Sequence, residues 1–334
     1  MVGLLSESPD RGRKPIAFGE VIRSLTEKSA FGAAMAGLVT FAAFVIIAPH
    51  FLSGNSIASI LAIAAELGIV AVGVTLLMIG GEFDLSVGSV LGLSALSVPL
   101  LMSFGLPAIL AVLTGFAIAA TIGAINGVIV ARTLAPSLIV TLGALFFWRG
   151  VVLMTTGGFP VAVQRDDPLF VLFSSEIYGV NVSVIWLVAV VLLGSFLLYR
   201  TRLGNWIFAT GGNPTAARQM GVPTTRVKVT LFMIASVLAA LAGMIQMTRF
   251  GSVDALRGQG VELTAIAATV IGGTRLQGGA GSVWGTAFGV LTLAMIQLGL
   301  LLAGIPGYFY QATVGLLLIV AVLINLYIGR GAAR

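Results

Sequence analysis

Ten apolar runs of roughly membrane-spanning length follow one another between residues 30 and 328, and they leave few folds open. They cover 30–49, 57–80, 86–103, 107–131, 137–155, 183–199, 229–248, 262–274, 283–303 and 309–328. A hydrocarbon core about 30 Å thick needs about 20 consecutive apolar residues in a helix. Composition excludes the water-soluble alternative. Of the 334 residues 58% are hydrophobic and 9% charged, whereas a soluble domain carries about 25% charged residues. The 43 glycines fit the same reading, because membrane helices pack through small residues. The sequence predicts an all-α polytopic membrane protein of about ten transmembrane helices. The eighth run is short and reads as a partial or broken helix.

Basic residues orient the chain. With an even number of spans both termini lie on one side. That side then holds Arg11, Arg13, Lys14, Arg23 and Lys28 of the N-terminal tail, Arg132, five basic residues in 200–228, Arg275, and Arg330 with Arg334. Fourteen of the 18 Lys and Arg fall there, which makes it the cytoplasmic side. Arg149, Arg165, Arg249 and Arg257 fall on or near the other. Topology thus accounts for the net charge of +6 without nucleic acid. The expected organisation is a cytoplasmic tail over 1–29, a transmembrane domain over 30–328, and a cytoplasmic tail over 329–334. Two connections are long: 156–182 outside and 200–228 inside.

Several chemistries are excluded. The chain has no cysteine, hence no disulfide, thiolate nucleophile or Cys-based metal site. His50 is the single histidine and no HExxH exists, so no metal centre is expected. No GxxxxGK[ST] is present to cradle ATP phosphates, so the chain is not expected to be an ATPase.

Charged and polar residues inside the apolar runs are the candidates for function. Glu66 lies within the second run and Glu262 opens the eighth; intramembrane carboxylates are costly and are functional candidates by default. Glu82 and Asp84 sit between two apolar runs in IGGEFDLSVGSVLG (79–92). Gly80-Gly81 ends one helix there, and Asp84 with Ser86 is expected to cap the next. The fourth run carries Gly115, Ala119, Gly123 and Gly127 on one helical face, a packing stripe, with Asn126 beside it. Asp84, Ser86, Asn126, Thr141 and Glu66 are the polar candidates within this apolar layer. A possible internal repeat relates 66–92 to 262–285: both begin Glu-Leu, pass a Gly-Gly and end Gly-Ser-Val-x-Gly. AINGVIV (124–130) and LINLYIG (323–329) form a weaker echo.

The inner connection carries a second signal. In GGNPTAARQMGVP, Asn213 is placed to cap a short helix and Pro214 to start it. Thr215, Ala216, Ala217 and Arg218 form its body, and Gly221 with Pro223 ends it. A capped helix in a basic cytoplasmic loop reads as a docking element for a soluble partner.

GGEFDLSVGS, PSLIVTLGAL, TRLGNWIFATGGNPTAARQMGV, ELTAIAATVIGGTRLQGGAGSVWGT and YQATVGLLLIVAVL occur in this order over 50–328. Together they resemble the membrane permease subunit of bacterial ABC sugar importers, in the ribose/xylose/arabinose/galactose branch. Thr215-Ala216-Ala217-x3-Gly221 resembles the EAA-x3-G coupling loop of importers, with Thr in place of Glu. Glu82 stands where many members of the family carry an apolar residue. The resemblance implies an inner-membrane subunit that works beside a second permease copy, two cytosolic ATPases that bind the ATP, and a periplasmic substrate-binding protein. It implies no cofactor and no catalytic residue on this chain. The resemblance makes Asp84, Ser86, Asn126, Thr141 and Glu66 candidates for the translocation path, and together with the scarcity of charge within the spans it implies an uncharged monosaccharide or polyol as the solute. An ion-coupled secondary transporter, with Glu66 as its titrating group, is the alternative from another class; a branched-chain amino-acid ABC permease is the alternative within this one. A channel is disfavoured, because no filter-like run occurs.

Overall fold

The computed structural model describes residues 29–133, 135–163 and 167–331. The expected N-terminal tail, Arg165 and Asp166 of the outer connection, and the last three residues lie outside them. The helices are α1 Ser29–Ile47, α2 Gly54–Ile79, α3 Val87–Ser103, α4 Ala108–Arg132, α5 Ser137–Thr156, α6 Val171–Ser174, α7 Ser183–Arg200, α8 Arg202–Gly212, α9 Pro214–Gln219, α10 Thr224–Phe250, α11 Val261–Ile271, α12 Val283–Leu302 and α13 Tyr308–Gly331. All ten apolar runs are helical. The expected count of about ten spans is nevertheless corrected to seven among the described residues, the helices long and apolar enough to cross a membrane. The other three are α3, with 17 residues, α11, with 11, and α13, whose shorter apolar segment is Tyr308–Leu323. At 1.5 Å per residue α11 rises only about 16 Å, half of a bilayer core.

Helix α2 is the hub. It packs on α7, α10, α11 and α12, and most of its residues from Ala62 to Ile79 are buried. A helix apolar all round suits that central place. Helices α1 and α5 stand at the rim with little burial. Small residues set the close contacts. A Cβ on Gly123 would stand 2.6 Å from the Phe232 carbonyl oxygen, and one on Gly127 2.7 Å from the Val229 Cα. The α4 stripe is therefore a packing seam against α10, as the spacing predicts. Gly73 admits α10 to α2 in the same way, at Ala235.

The internal echo is repeated in the backbone. Gly80 (φ −69°, ψ −3°) and Gly272 (φ −65°, ψ −4°) end α2 and α11, and Gly81 and Gly273 both follow with φ +84°. Gly80, Gly81 and Glu82 donate to Leu76, Met78 and Leu77. Gly272, Gly273 and Thr274 donate to Ala268, Val270 and Thr269 in the same pattern. The two turns lie side by side. Between them Thr75 Oγ1 lies 2.7 Å from Thr286 Oγ1 and 3.2 Å from Thr269 Oγ1.

The connection after α5 is more ordered than a loop. Strand β1 (Val161–Ala162) pairs antiparallel with β4 (Ser252–Val253). Strands β2 (Glu176–Ile177) and β3 (Val180–Asn181) form a hairpin. Its turn, Tyr178-Gly179, has φ +52° and +78°, the geometry a two-residue hairpin turn demands. Two-residue strands leave no periodicity in a sequence. The sequence predicts one short helix in the 200–228 connection; the structure has two, α8 and α9.

Candidate coupling junction and translocation site

At one end of α2 three glycine pairs meet. Gly279 N donates to the Ile79 carbonyl at 2.8 Å, which ties the end of α2 to the turn between α11 and α12. Gly211, near the end of α8, lies against that same carbonyl. A Cβ on it would stand 2.7 Å from Gly279 N, and one on Gly278 would stand 2.8 Å from the Gly81 Cα. Every near neighbour of Gly211 is backbone. Helix α9 begins two residues beyond this junction. Asn213 Oδ1 accepts from Ala216 N at 3.0 Å and Pro214 opens the helix, as the sequence predicts. Ala217 faces inward, while Pro214, Thr215, Ala216, Arg218 and Met220 are exposed. Gly221 has φ +84° and open space around it. It is required there by backbone conformation, not by crowding.

Residues 82–86 re-enter the helical layer before α3 begins. Non-helical backbone inside a membrane protein needs partners from its neighbours, and α4 and α5 supply them. Phe83 N donates to Ser137 Oγ and Leu85 N to Thr141 Oγ1, both at 3.1 Å. Ser86 N and Ser86 Oγ both donate to Asp84 Oδ1, at 2.8 and 2.6 Å. Asn126 Nδ2 donates to Ser86 Oγ at 3.0 Å. Asn126 lies about 9 Å from the end of α4, so α3 starts well inside the layer. Ser86 takes the N-cap position, but its side chain makes no cap bond. The expected capping role of Asp84 is corrected to a local turn, because its carboxylate reaches Ser86 and not the helix amides beyond. Asp84 Oδ2 has no hydrogen-bond partner. Glu82 pairs with Lys228 at the start of α10.

The other half of the helical layer holds a cavity of about 970 Å³ between α2, α10, α11, α12, α13 and the 251–260 connection. Glu66 faces it and is ion-paired with Arg249. Gln246, one turn before the end of α10, lines the same space beside this pair. Glu262 lines it too, with Oε1 accepting from Gly260 N at 3.1 Å while Oε2 packs over Gly88 without a partner. Three of the four arginines expected on the outer side are engaged in this half, Arg165 lying outside the described residues. Arg149 donates to the Arg257 carbonyl at 2.8 Å, and the Arg257 guanidinium lies 4.5 Å from the Phe250 ring centre. These exceptions to the basic-residue bias are thus buttresses of the connection between α10 and α11.

The structure therefore separates the path candidates. Asp84, Ser86, Asn126 and Thr141 form one buried network. Glu66 belongs to the cavity. Sequence reasoning did not single out Gln246, Gln259, Gln297, Gln311 and Tyr310, which line the same space. The signal available was four carboxamides in or beside strongly apolar runs. His50, just beyond α1, has φ +58°, and no metal-binding cluster occurs among the described residues.

A multi-span helical chain with broken helices and a capped helix beside a backbone junction is the architecture of a membrane transport subunit. Comparison with known proteins places it further. The family model described as branched-chain amino acid transport system / permease component matches residues 56–322. The ribose import permease RbsC of Escherichia coli strain K12 is 36% identical over 292 residues, covering 86% of this chain and 91% of its own. RbsC of Bacillus subtilis strain 168 is 35% identical over 281 residues, with 84% and 87% covered. The xylose/arabinose import permease XylH of Sulfolobus acidocaldarius is 33% identical over 292 residues, with 85% and 81% covered. No solved structure matches. The chain belongs to the permease family of ABC-type importers, a family of multi-pass proteins of the bacterial inner membrane. It is the permease component and not an enzyme; ATP hydrolysis in this family belongs to a separate subunit, and a substrate-binding protein completes the assembly.

Proposed function

We propose that this chain forms the translocation path for a neutral monosaccharide or polyol of the ribose, xylose or arabinose kind. The observation that carries the reading is end-to-end similarity to permeases named for those sugars. Residues 30–328 form the permease domain, and 200–228 is its cytoplasmic coupling segment. Asn213, Pro214, Thr215, Ala216, Ala217, Arg218 and Gly221 dock α9 on the ATPase, with exposed Met220 as an apolar contact. Asp84, Ser86, Asn126 and Thr141 hold the re-entrant start of α3 beside the path, and Glu66 faces it. The 156–182 connection receives the periplasmic binding protein. The sparsely covered helices α5 and α13 meet a second copy of the chain.

The test is uptake by proteoliposomes holding this permease, its ATPase and its binding protein. Ribose, xylose, arabinose and galactose are compared with leucine. ATP-dependent sugar uptake that survives an uncoupler is the expected result. Leucine uptake without sugar uptake would move the chain to the amino-acid branch that the family description also covers. Loss with the uncoupler at constant ATP would favour ion coupling. That reading is disfavoured by Glu66, whose carboxylate is already ion-paired with Arg249.

A further inference from the structure

We infer that the cavity bounded by Glu66, Arg249, Gln246, Gln297, Gln311 and Tyr310 is a transit site for a neutral, hydroxylated sugar, reached from the side opposite α9. The inference rests on the transport reading above and adds the site and its chemistry.

Position comes first. Ile79, at the far end of α2, meets the α8–α9 junction. Glu66 lies about 20 Å back along the helix from there. Gln246 and Gln297 stand about 6 and 8 Å from the ends of α10 and α12, and Gln311 lies in the first turn of α13. The cavity thus belongs to the half of the molecule that carries the 251–260 connection and the β1–β4 pair.

Solvation comes next. Gln297 and Gln311 are exposed, and Gln246 is half-buried. An unpaired carboxamide costs free energy in hydrocarbon, so this face fronts water or protein and not lipid. About 970 Å³ lies at the upper end of the range for small-molecule pockets, about 300–1,000 Å³. The space holds a monosaccharide with part of its hydration.

Chemistry then selects the ligand. Carboxamides both donate and accept, and the Tyr310 phenol does the same, which matches a ring of hydroxyls. Phe250 and Tyr310 add aromatic surface for the apolar faces of a sugar ring. A zwitterionic amino acid needs a receiver for each charge. Here Arg249 is held by Glu66. The amide of Gly260 at the start of α11 is taken by the chain's own Glu262. The groups that would clasp a carboxylate are engaged internally, while the amides are not all so committed.

The absence of cysteine makes the test direct. Gln297→Cys and Gln311→Cys are each made in the complete importer and treated with a charged, membrane-impermeant thiosulfonate on the binding-protein side. Leu193→Cys, at an exposed apolar position of α7, is the lipid-facing control. Both glutamine-site cysteines are expected to react, and the control is not. Saturating ribose or xylose, whichever the importer carries, supplied with binding protein and ATP, is expected to slow both reactions at least about five-fold, the effect of about 80% occupancy of the site. Leucine is expected to leave them unchanged. Uptake by Gln246→Leu and Gln297→Leu, normalised to membrane content, is expected to fall by a similar factor. Two cysteines that fail to react would show that this face is not water-lined. Reaction without sugar protection, together with normal uptake in the leucine variants, would overturn the site while leaving sugar transport standing. No uptake of any monosaccharide by the unmodified importer would instead remove the transport reading on which the site rests.

Discussion

Gly211 and Gly212 are adjacent, and the structure assigns them opposite tolerances. A methyl at Gly211 meets the Ile79 carbonyl oxygen, Gly279 N at 2.7 Å and the Ile79 carbonyl carbon at 2.9 Å, all of them backbone. A methyl at Gly212 meets the Gly279 Cα at 4.0 Å, ordinary van der Waals contact. Overpacking costs about 1–3 kcal/mol. The wedge also parts Gly279 N from the Ile79 carbonyl, a hydrogen bond worth about 1 kcal/mol. Alanine returns up to about 1 kcal/mol of helix propensity. Gly211→Ala is therefore expected to be about 1–3 kcal/mol less stable, and Gly212→Ala neutral or slightly stabilised. Thermal denaturation in detergent, followed by size-exclusion chromatography, reads the difference. Because the junction joins α8 to the end of α2, Gly211→Ala should also hydrolyse ATP in the assembled importer with little sugar uptake. An unchanged denaturation midpoint and normal uptake in Gly211→Ala would refute the argument that this contact is incompressible.

Asp84→Asn keeps the acceptor that turns Ser86 inward and removes a charge whose Oδ2 lacks a partner. It should fold and transport appreciably. Asp84→Leu leaves Ser86 N and Oγ short of an acceptor, costs about 1–3 kcal/mol, and should lower the yield of folded protein; equal loss in both variants at normal membrane levels would show a required charge. Glu82→Gln should cost no more than about 1 kcal/mol in a melting assay, because the partly exposed Lys228 can turn its ammonium to solvent. Gly221→Ala meets no neighbour but forces an L-residue to φ +84°, at about 1–2 kcal/mol. Co-purification of the ATPase should fall while membrane content holds, and normal co-purification would remove α9 from the docking surface.

What was legible in the sequence followed from local physics. Apolar run length located the seven spanning helices together with α3, α11 and α13, and the α4 glycine stripe announced its seam with α10. Asn213 and Pro214 marked α9 to the residue. Depth was not legible. An 11-residue helix such as α11 and a full span share the same apolar pattern, and only packing against α2 and α12 shows how little of the layer it crosses. Asp84 was visible as a polar residue at a break, but its turn toward Ser86 depends on Thr141 and Asn126 arriving from α5 and α4. The cavity was hidden for the same reason. Gln246, Gln297 and Gln311 are scattered along 66 residues of chain, and only the crossing of α10, α12 and α13 brings them to one space.

The bond from Gly279 N to the Ile79 carbonyl also fixes a fulcrum. Helix α2 is 26 residues long, a rod of about 39 Å. Its pinned end has glycine on both sides, with no side chains to absorb a displacement. A tilt of about 3° about that point carries Glu66 sideways by about 1 Å and Gly54 by about 2 Å, from the same rise per residue. The arm grows with distance from the hinge, so a push too small to reshape the α8–α9 end is delivered enlarged at the opposite mouth.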